Sequence, residues 1–431
     1  MFNKKPLILG LASALLATGL AACGGGGAAG DSDLTYWCPS VDTNVMAQLA
    51  EDFKVAHPEY ADKKIDLNGN FGEDKAYAEL HKNVDIAADV ILMADDNIRE
   101  AVNAEELTDL SALKGEFSKT VDAKAIAACS VGNSLYGLAY RADNSPMPIY
   151  SAEVFAGQES KLNTLEGMLE VCKNAGKKFY LDIGNGWYNA FLLWAGGAQF
   201  TAGKDSAGKD VLWNDVMEHQ QDVAEVLKAV KALFNQYNGT WVSSSDAAII
   251  QSSFQAGECG VAFNWNNVSN IKGVSAGQTI KVAEWPTLNA GNATIKLKCF
   301  QSYKAVVVKD MEDGDRKELA IAFANFLASK AAQEKRISLE YGPSNLELLS
   351  SDKMNSLDFA KAIKNMDAEG RTVSQAVNVT GKFWSGMEAF GGVLTNGIAD
   401  GEAKAWGNKP NAAAFVAGAV GNAGWEQHSF N

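Results

Sequence analysis

The sequence predicts an α/β architecture with a mostly parallel sheet, and three observations carry that reading. Residues 34–104 alternate strand-like and helix-like runs in β-α-β-α order. One run, Asp89-Val-Ile-Leu-Met93, is continuously apolar after its first residue, as a strand covered on both faces must be. The 431 residues are 47% apolar and 21% charged, which is enough ordinary core-forming chain for two or three domains.

The elements follow in order. Leu34-Thr-Tyr-Trp37 is a short β-type run ending at Cys38-Pro39-Ser40. Val45, Leu49 and Phe53 fall at i, i+4 and i+8, an amphipathic helix over 44–56 that stops before Pro58. A strand at 64–67, a helix at 74–82, the strand at 89–93 and a helix at 97–104 come next. In the middle of the chain, 166–175 reads as helix, 178–183 as strand and 187–194 as an aromatic-rich helix. A long helix over 222–236 aligns Val223, Val226, Leu227, Val230 and Phe234. Strands at 260–265 and 279–283 lead to Lys304-Ala-Val-Val-Val308, a turn at 312–315, and a helix carrying Leu319, Phe323, Phe326 and Leu327. The C-terminal third is helical, with expected breaks at Gly342-Pro343, Gly391-Gly392 and Gly407.

The N-terminus reads as an address. Lys4 and Lys5 precede an uncharged run of 14 residues, Leu7 to Leu20. That is shorter than the ~20 residues a spanning helix needs and right for the core of a signal peptide. Leu20-Ala21-Ala22-Cys23 resembles the bacterial lipobox, which implies cleavage after residue 22 and acylation of Cys23; the alternative is a plain secretory signal with an incidental cysteine. Cleavage would remove two positive charges and no acid, taking the net charge from -14 to -16. Residues 23–30 then form a Gly-rich tether on the lipid anchor, so the membrane is met through lipid alone.

Composition and spacing exclude several classes. With 52 acidic against 38 basic residues and no basic cluster longer than two, a nucleic-acid partner is not expected. Four histidines (His57, His81, His219, His428) lie far apart with no paired spacing, so no metal site or cofactor is expected. Gly273-Val-Ser275-Ala-Gly277 matches a nucleophile elbow formally but sits in polar linker sequence, and a strand follows it. Gly25, Gly27 and Gly30 match a dinucleotide fingerprint with no strand before them. Asp310–Asp315 has its glycine one place early for a calcium loop. After Cys23, five cysteines remain (Cys38, Cys129, Cys172, Cys259, Cys299), an odd number without C-x-x-C; buried thiols are expected, with Cys259–Cys299 as the one candidate bridge.

Aromatic and polar residues recur side by side at expected strand ends and helix starts. They are Tyr36-Trp37 with Asp42, Asp95-Asp96, Gly186-Trp187-Tyr188-Asn189, Asn264-Trp265-Asn266-Asn267 and Phe383-Trp384. Sugars need that combination, rings for their C–H faces and polar side chains for their hydroxyls.

The order of these segments, from about Leu34 to the C-terminus, resembles the extracellular solute-binding proteins of ABC importers, in particular the maltose-binding-like carbohydrate group. Ala88-Asp-Val-Ile-Leu-Met-Ala-Asp95-Asp96 is similar to the family's strand that ends at the cleft. Phe254-Gln-Ala-Gly-Glu-Cys-Gly-Val-Ala-Phe-Asn-Trp265 is similar to its F-x-x-G-[KE]-x-A-M segment, with Gly260-Val261 in place of Ala-Met. Phe326-Leu-Ala-Ser-Lys-Ala-Ala-Gln333 resembles F-L-x-S-x-x-x-Q, and Gly342-Pro343 stands where a cleft loop is expected.

The resemblance implies a two-lobed, periplasmic-binding-protein-like fold with the ligand cleft between lobes. Residues 31–141 and 301–343 would form one lobe, and 142–300 and 344–431 the other. It implies Trp384, Trp265 and Trp187 or Tyr188 as stacking residues, Asp96 with Asp95 as the acid after the third strand, and Asn144 beside Asp143 at the second crossover. Asp42 joins them from the first cluster. Met93 stands where maltose binders often carry a Trp, a departure from maltodextrin specificity. The implied function is non-enzymatic capture of a sugar or oligosaccharide by an extracytoplasmic, lipid-anchored monomer that delivers it to permease subunits. A non-sugar solute such as a polyamine or phosphorylated polyol, or a surface glycoside hydrolase, are the alternatives.

Overall fold

The computed structural model describes residues 32–265, 267–275, 277–312, 314–396 and 405–430. The segments read as signal peptide and tether, with Cys23, lie outside the described residues.

Two sheets organise the chain. In the first, Ile65–Asn68, Leu34–Trp37 and Val90–Ala94 are parallel neighbours, with Leu34 opposite Ile65 and Tyr36 opposite Val90. The ten-residue strand Cys299–Val308 then runs antiparallel to Val90–Ala94 on one side and to Gly137–Asn144 on the other. All five residues of Val90–Ala94 are buried, because helices cover both faces of the sheet. The second sheet has the order Trp241–Val242, Lys178–Tyr180, Cys259–Asn264, Met147–Ser151, Ile280–Val282. Each sheet has its own apolar core. One draws on residues 34–140 and 303–332, the other on 147–300 and 359–425. Two cores joined by a few crossing segments make the two-lobed fold.

The crossings are built differently from one another. Gly137–Asn144 passes to Met147–Ser151 through Ser145-Pro146, and Cys299–Val308 crosses within a single strand. The third is drawn out. Ser344 and Asn345 still bond to the first lobe, both backbone N–H groups donating to Gln333 Oε1 at 2.8 and 3.0 Å. Leu348 and Met354 form a small separate cluster with Ile337, and Phe359 is the first residue past them in the second core.

Several elements differ from expectation for identifiable reasons. The helix Thr43–Ala56 buries Leu49 and Phe53 of the expected stripe, with Val45 half-buried against the same core, and adds Met46 and Ala50 to its inner face. The strand at Lys178 ends at Tyr180, because the Asp182 side chain accepts the Gly184 N–H and turns the chain. Residues 187–194 are two short helices, Gly186–Asn189 and Phe191–Ala195. Cys259 and Cys299 do not bridge: all five described cysteines are free and buried, and these two start strands of different sheets. Ser275 caps the helix Val268–Val274 and is buried, with no strand leading into it.

Gly391-Gly392 does not break a helix; it lies inside Gly381–Thr395. A Cβ on Gly391 would sit 2.7 Å from the Gly184 Cα and carbonyl oxygen, whereas Gly392 faces open space. The first glycine is there for close packing. Gly391→Ala is therefore expected to lower unfolding free energy by ~1–3 kcal/mol through overpacking. Gly392→Ala should be neutral or stabilise by up to ~1 kcal/mol through helix propensity. Urea unfolding of the pair checks this, and equal effects would contradict it.

Candidate functional site

Between the lobes lies a cleft of about 1030 Å³, lined from both sides. The first-lobe wall is made by chain ends. Pro39–Asp42 follow the strand Leu34–Trp37, and Asp96 and Asn97 follow Val90–Ala94. Asn70–Asp74, Arg141, Asn144, Lys304 and Tyr341 complete it. Ligands collect at the carboxyl ends of parallel strands because that is where loops can vary without disturbing the sheet.

Buried polar chemistry fixes this wall. Arg141 forks onto Asp143, with Nε to Oδ1 at 2.9 Å and Nη2 to Oδ2 at 3.2 Å, and its guanidinium lies 3.6 Å from the centre of the Tyr341 ring. Tyr341 Oη donates to Asp42 Oδ1 at 2.9 Å, and Tyr140 Oη donates to Glu73 Oε1 at 2.6 Å. Burial raises Glu73, but Lys304, Arg141 and the Tyr140 hydroxyl outweigh it and hold the carboxyl below the usual range. Asp42 goes the other way. Burial pushes it up, Glu73 adds to that, and Arg141 and the Tyr341 hydroxyl only partly oppose it.

Asp95 and Asp96 separate. Asp95 is buried behind the wall, its Oδ2 accepting the Tyr303 backbone N–H at 2.8 Å, so it is a strut of the sheet and not a cleft residue. Asp96 faces the cleft, raised by burial against a hydrogen bond from Gln375 and the charge of Lys304. The reason is local geometry: in the turn Asp95–Asn97 consecutive side chains cannot share one direction. Asn144 lines the cleft and bonds Ser302, with Ser302 Oγ donating to the Asn144 carbonyl at 3.0 Å.

The second-lobe wall carries the rings. Asn185 caps the helix Gly186–Asn189 by accepting the Trp187 N–H at 2.9 Å. A Cβ on Gly186 would meet Met387 at 3.0 Å and the Trp384 ring at 3.3 Å, so only glycine lets this turn lie against the helix Gly381–Thr395. That contact brings Trp187 beside Trp384. Trp384 is backed by Phe300 and Phe383, with ring centres 5.5 and 5.2 Å away. Trp265 emerges from the fully buried strand Cys259–Asn264. Trp187, Trp265 and Trp384 are half-buried, each with surface on the cleft. Tyr188 also lines it but is buried, and its hydroxyl bonds the Trp265 backbone, so it supports the wall more than it faces a ligand. Asp182 accepts hydroxyls from Ser243 and Ser245 at 3.0 and 2.8 Å.

Gln375 joins the two walls. It is buried, its Oε1 accepts the Trp187 indole N–H at 2.9 Å, and its side chain lies close enough to Asp96 to favour that carboxylate. Sequence reasoning missed it, together with Arg141, Tyr341, Lys304 and Glu388. Glu388 had a signal, standing four places after Trp384 on one helix face. Among the described lining residues the acids Asp42, Glu73, Asp74, Asp96, Asp182 and Glu388 face only two bases, Arg141 and Lys304. No cluster of three or more His, Cys, Asp or Glu side chains among the described residues is placed to hold a metal ion.

The raised Asp42 makes a sign prediction. An acid whose folded pKa lies above its unfolded value near 3.8 destabilises the fold at higher pH, and that penalty vanishes as pH falls through the folded value. Asp42→Asn is therefore expected to melt higher than the parent at neutral pH, with the two curves converging below about pH 3. A variant that melts lower at neutral pH would count against this account.

No curated protein matches the sequence. Solved structures do. One described as being with acarbose is 23% identical, with 90% of this chain and 97% of that chain covered at a TM-score of 0.74. The maltodextrin binding protein MalE1 from L. casei BL23, without ligand, is 16% identical over 90% and 98% at a TM-score of 0.69. The Thermus thermophilus maltotriose binding protein, bound with maltotriose, is 16% identical over 90% and 98% at 0.68. At these identities the likeness establishes the two-lobed fold. The family of bacterial extracellular solute-binding proteins matches residues 48–362, well over half the chain. The protein is a member of that family, a binding protein that works outside the cytoplasm.

Proposed function

We propose that the protein captures a sugar or oligosaccharide in the interlobe cleft and hands it to the membrane subunits of an ABC importer, held at the membrane by lipid on Cys23. One observation carries the ligand class. Three half-buried indoles, Trp187, Trp265 and Trp384, stand on one wall, and carboxylates and amides, Asp42, Asp96, Asn97 and Asn144, stand on the other. Rings cover the C–H faces of a pyranose while the opposite wall takes its hydroxyls. The solved relatives named for maltotriose and maltodextrin support the same reading. Binding would draw the lobes together, and the closed form would be what the importer recognises.

The cleft acids are better suited to holding than to hydrolysis. Asp182 is engaged by two serine hydroxyls, and Glu73 is tied to Tyr140, so neither is placed as a free acid–base partner. A glycan left intact after long incubation supports capture; release of new reducing ends would support a hydrolase.

A thermal-shift screen of the full-length protein against saccharides tests the proposal, because a ligand present at about 100 times its Kd adds ~2.7 kcal/mol of stability. Stabilisation by a glycan series is expected, and silence across all saccharides would overturn the ligand class. Trp384→Ala is expected to cost ~1–3 kcal/mol of binding. Gln375→Leu should cost about 1 kcal/mol of binding by freeing the Trp187 indole edge. Unchanged affinity in either variant, measured by calorimetry, would remove that residue from the site.

A further inference from the structure

The cleft is unusually one-sided in charge. Six acids line it against two bases, and one of the bases is already used: Arg141 is buried, forked onto Asp143 and 3.9 Å from Glu73. Lys304 lies within the field of Glu73, Asp95 and Asp96. The acids left over are spread across both lobes, with Asp42, Asp74 and Asp96 on one and Asp182 and Glu388 on the other.

A second observation is independent of that count. Asp42 is among the residues that line the cleft and is 0% exposed, yet only Oδ1 has a hydrogen bond, from Tyr341; Oδ2 has no partner among the described residues. A buried carboxylate oxygen without a donor is costly. Burial disfavours the ionised form of Asp42; a sugar hydroxyl would supply only a hydrogen bond, whereas an ammonium group would supply a hydrogen bond and the opposite charge that favours the carboxylate. The three indole faces on the opposite wall also attract a cation through their negative π surfaces.

We infer that the cleft selects glycans bearing protonated amino groups, oligosaccharides of the glucosamine type, over their N-acetylated or wholly neutral counterparts. This rests on the glycan reading above. It excludes phosphorylated polyols, whose dianions would enter a field of like charge.

The test is calorimetry of the full-length protein at about pH 6, where the amines are charged. The probes are a glucosamine tetrasaccharide, its N-acetylated counterpart, maltotetraose and spermidine. The amino tetrasaccharide is expected to bind at least about tenfold more tightly than the N-acetylated one at low salt, with the gap narrowing as salt screens the field. Asp42→Asn and Glu388→Gln should each narrow it further; Glu388 is exposed, so its variant tests the field of the cleft apart from the buried network around Asp42. Equal or tighter binding of the N-acetylated or neutral glycan, or a gap indifferent to salt, overturns the inference. If spermidine binds and no glycan does, the glycan reading falls with it. Tight maltotetraose binding with no amine preference would retain the glycan reading and sink only this one.

Discussion

One strand, Cys299–Val308, belongs to both halves of the molecule, and the site hangs from it. Its C-terminal part lies between Val90–Ala94 and Gly137–Asn144 in the first sheet. Its first three residues pair in parallel with Thr372–Ser374, which leads straight into Gln375. Along the strand, Phe300 backs Trp384, Ser302 holds Asn144, the Tyr303 N–H fixes Asp95, and Lys304 reaches the cleft. Both walls therefore take their positions from one backbone segment.

The polar layer of the first wall has a matching logic. Arg141, Asp143, Tyr341, Asp42, Glu73 and Tyr140 form one connected set of ion pairs, hydrogen bonds and a ring contact. Such a network is rigid when satisfied and costly where it is not. It is satisfied almost everywhere. The exception is Oδ2 of Asp42, a residue of the cleft lining.

Much of this was legible in the sequence, for reasons that can be named. Val90–Ala94 stood out because a strand covered on both faces needs an unbroken apolar run. Trp187 and Trp265 stood out because Gly or Asn stands beside them at element ends, and Trp384 through the family resemblance; all three line the cleft. Long-range partners left no trace. Gln375 meets Trp187 across 188 positions and Tyr341 meets Asp42 across 299, distances over which one sequence carries no signal. Local ambiguity explains the rest. Asp95 and Asp96 are identical letters on opposite sides of a turn, and Gly391 could be read as a helix break until Gly184 was seen against it.

The proposed mode of binding sets the rings of a glycan on the second-lobe indoles and its polar groups on the first-lobe acids. A crystal structure with a bound oligosaccharide measures that most directly. The account predicts sugar rings packed on Trp384 and its neighbouring indoles, with Asp42 Oδ2 and Asp96 accepting hydrogen bonds from the ligand. A glycan bound outside the cleft, or one within it that leaves the indoles uncovered and Asp42 Oδ2 still without a partner, would contradict it.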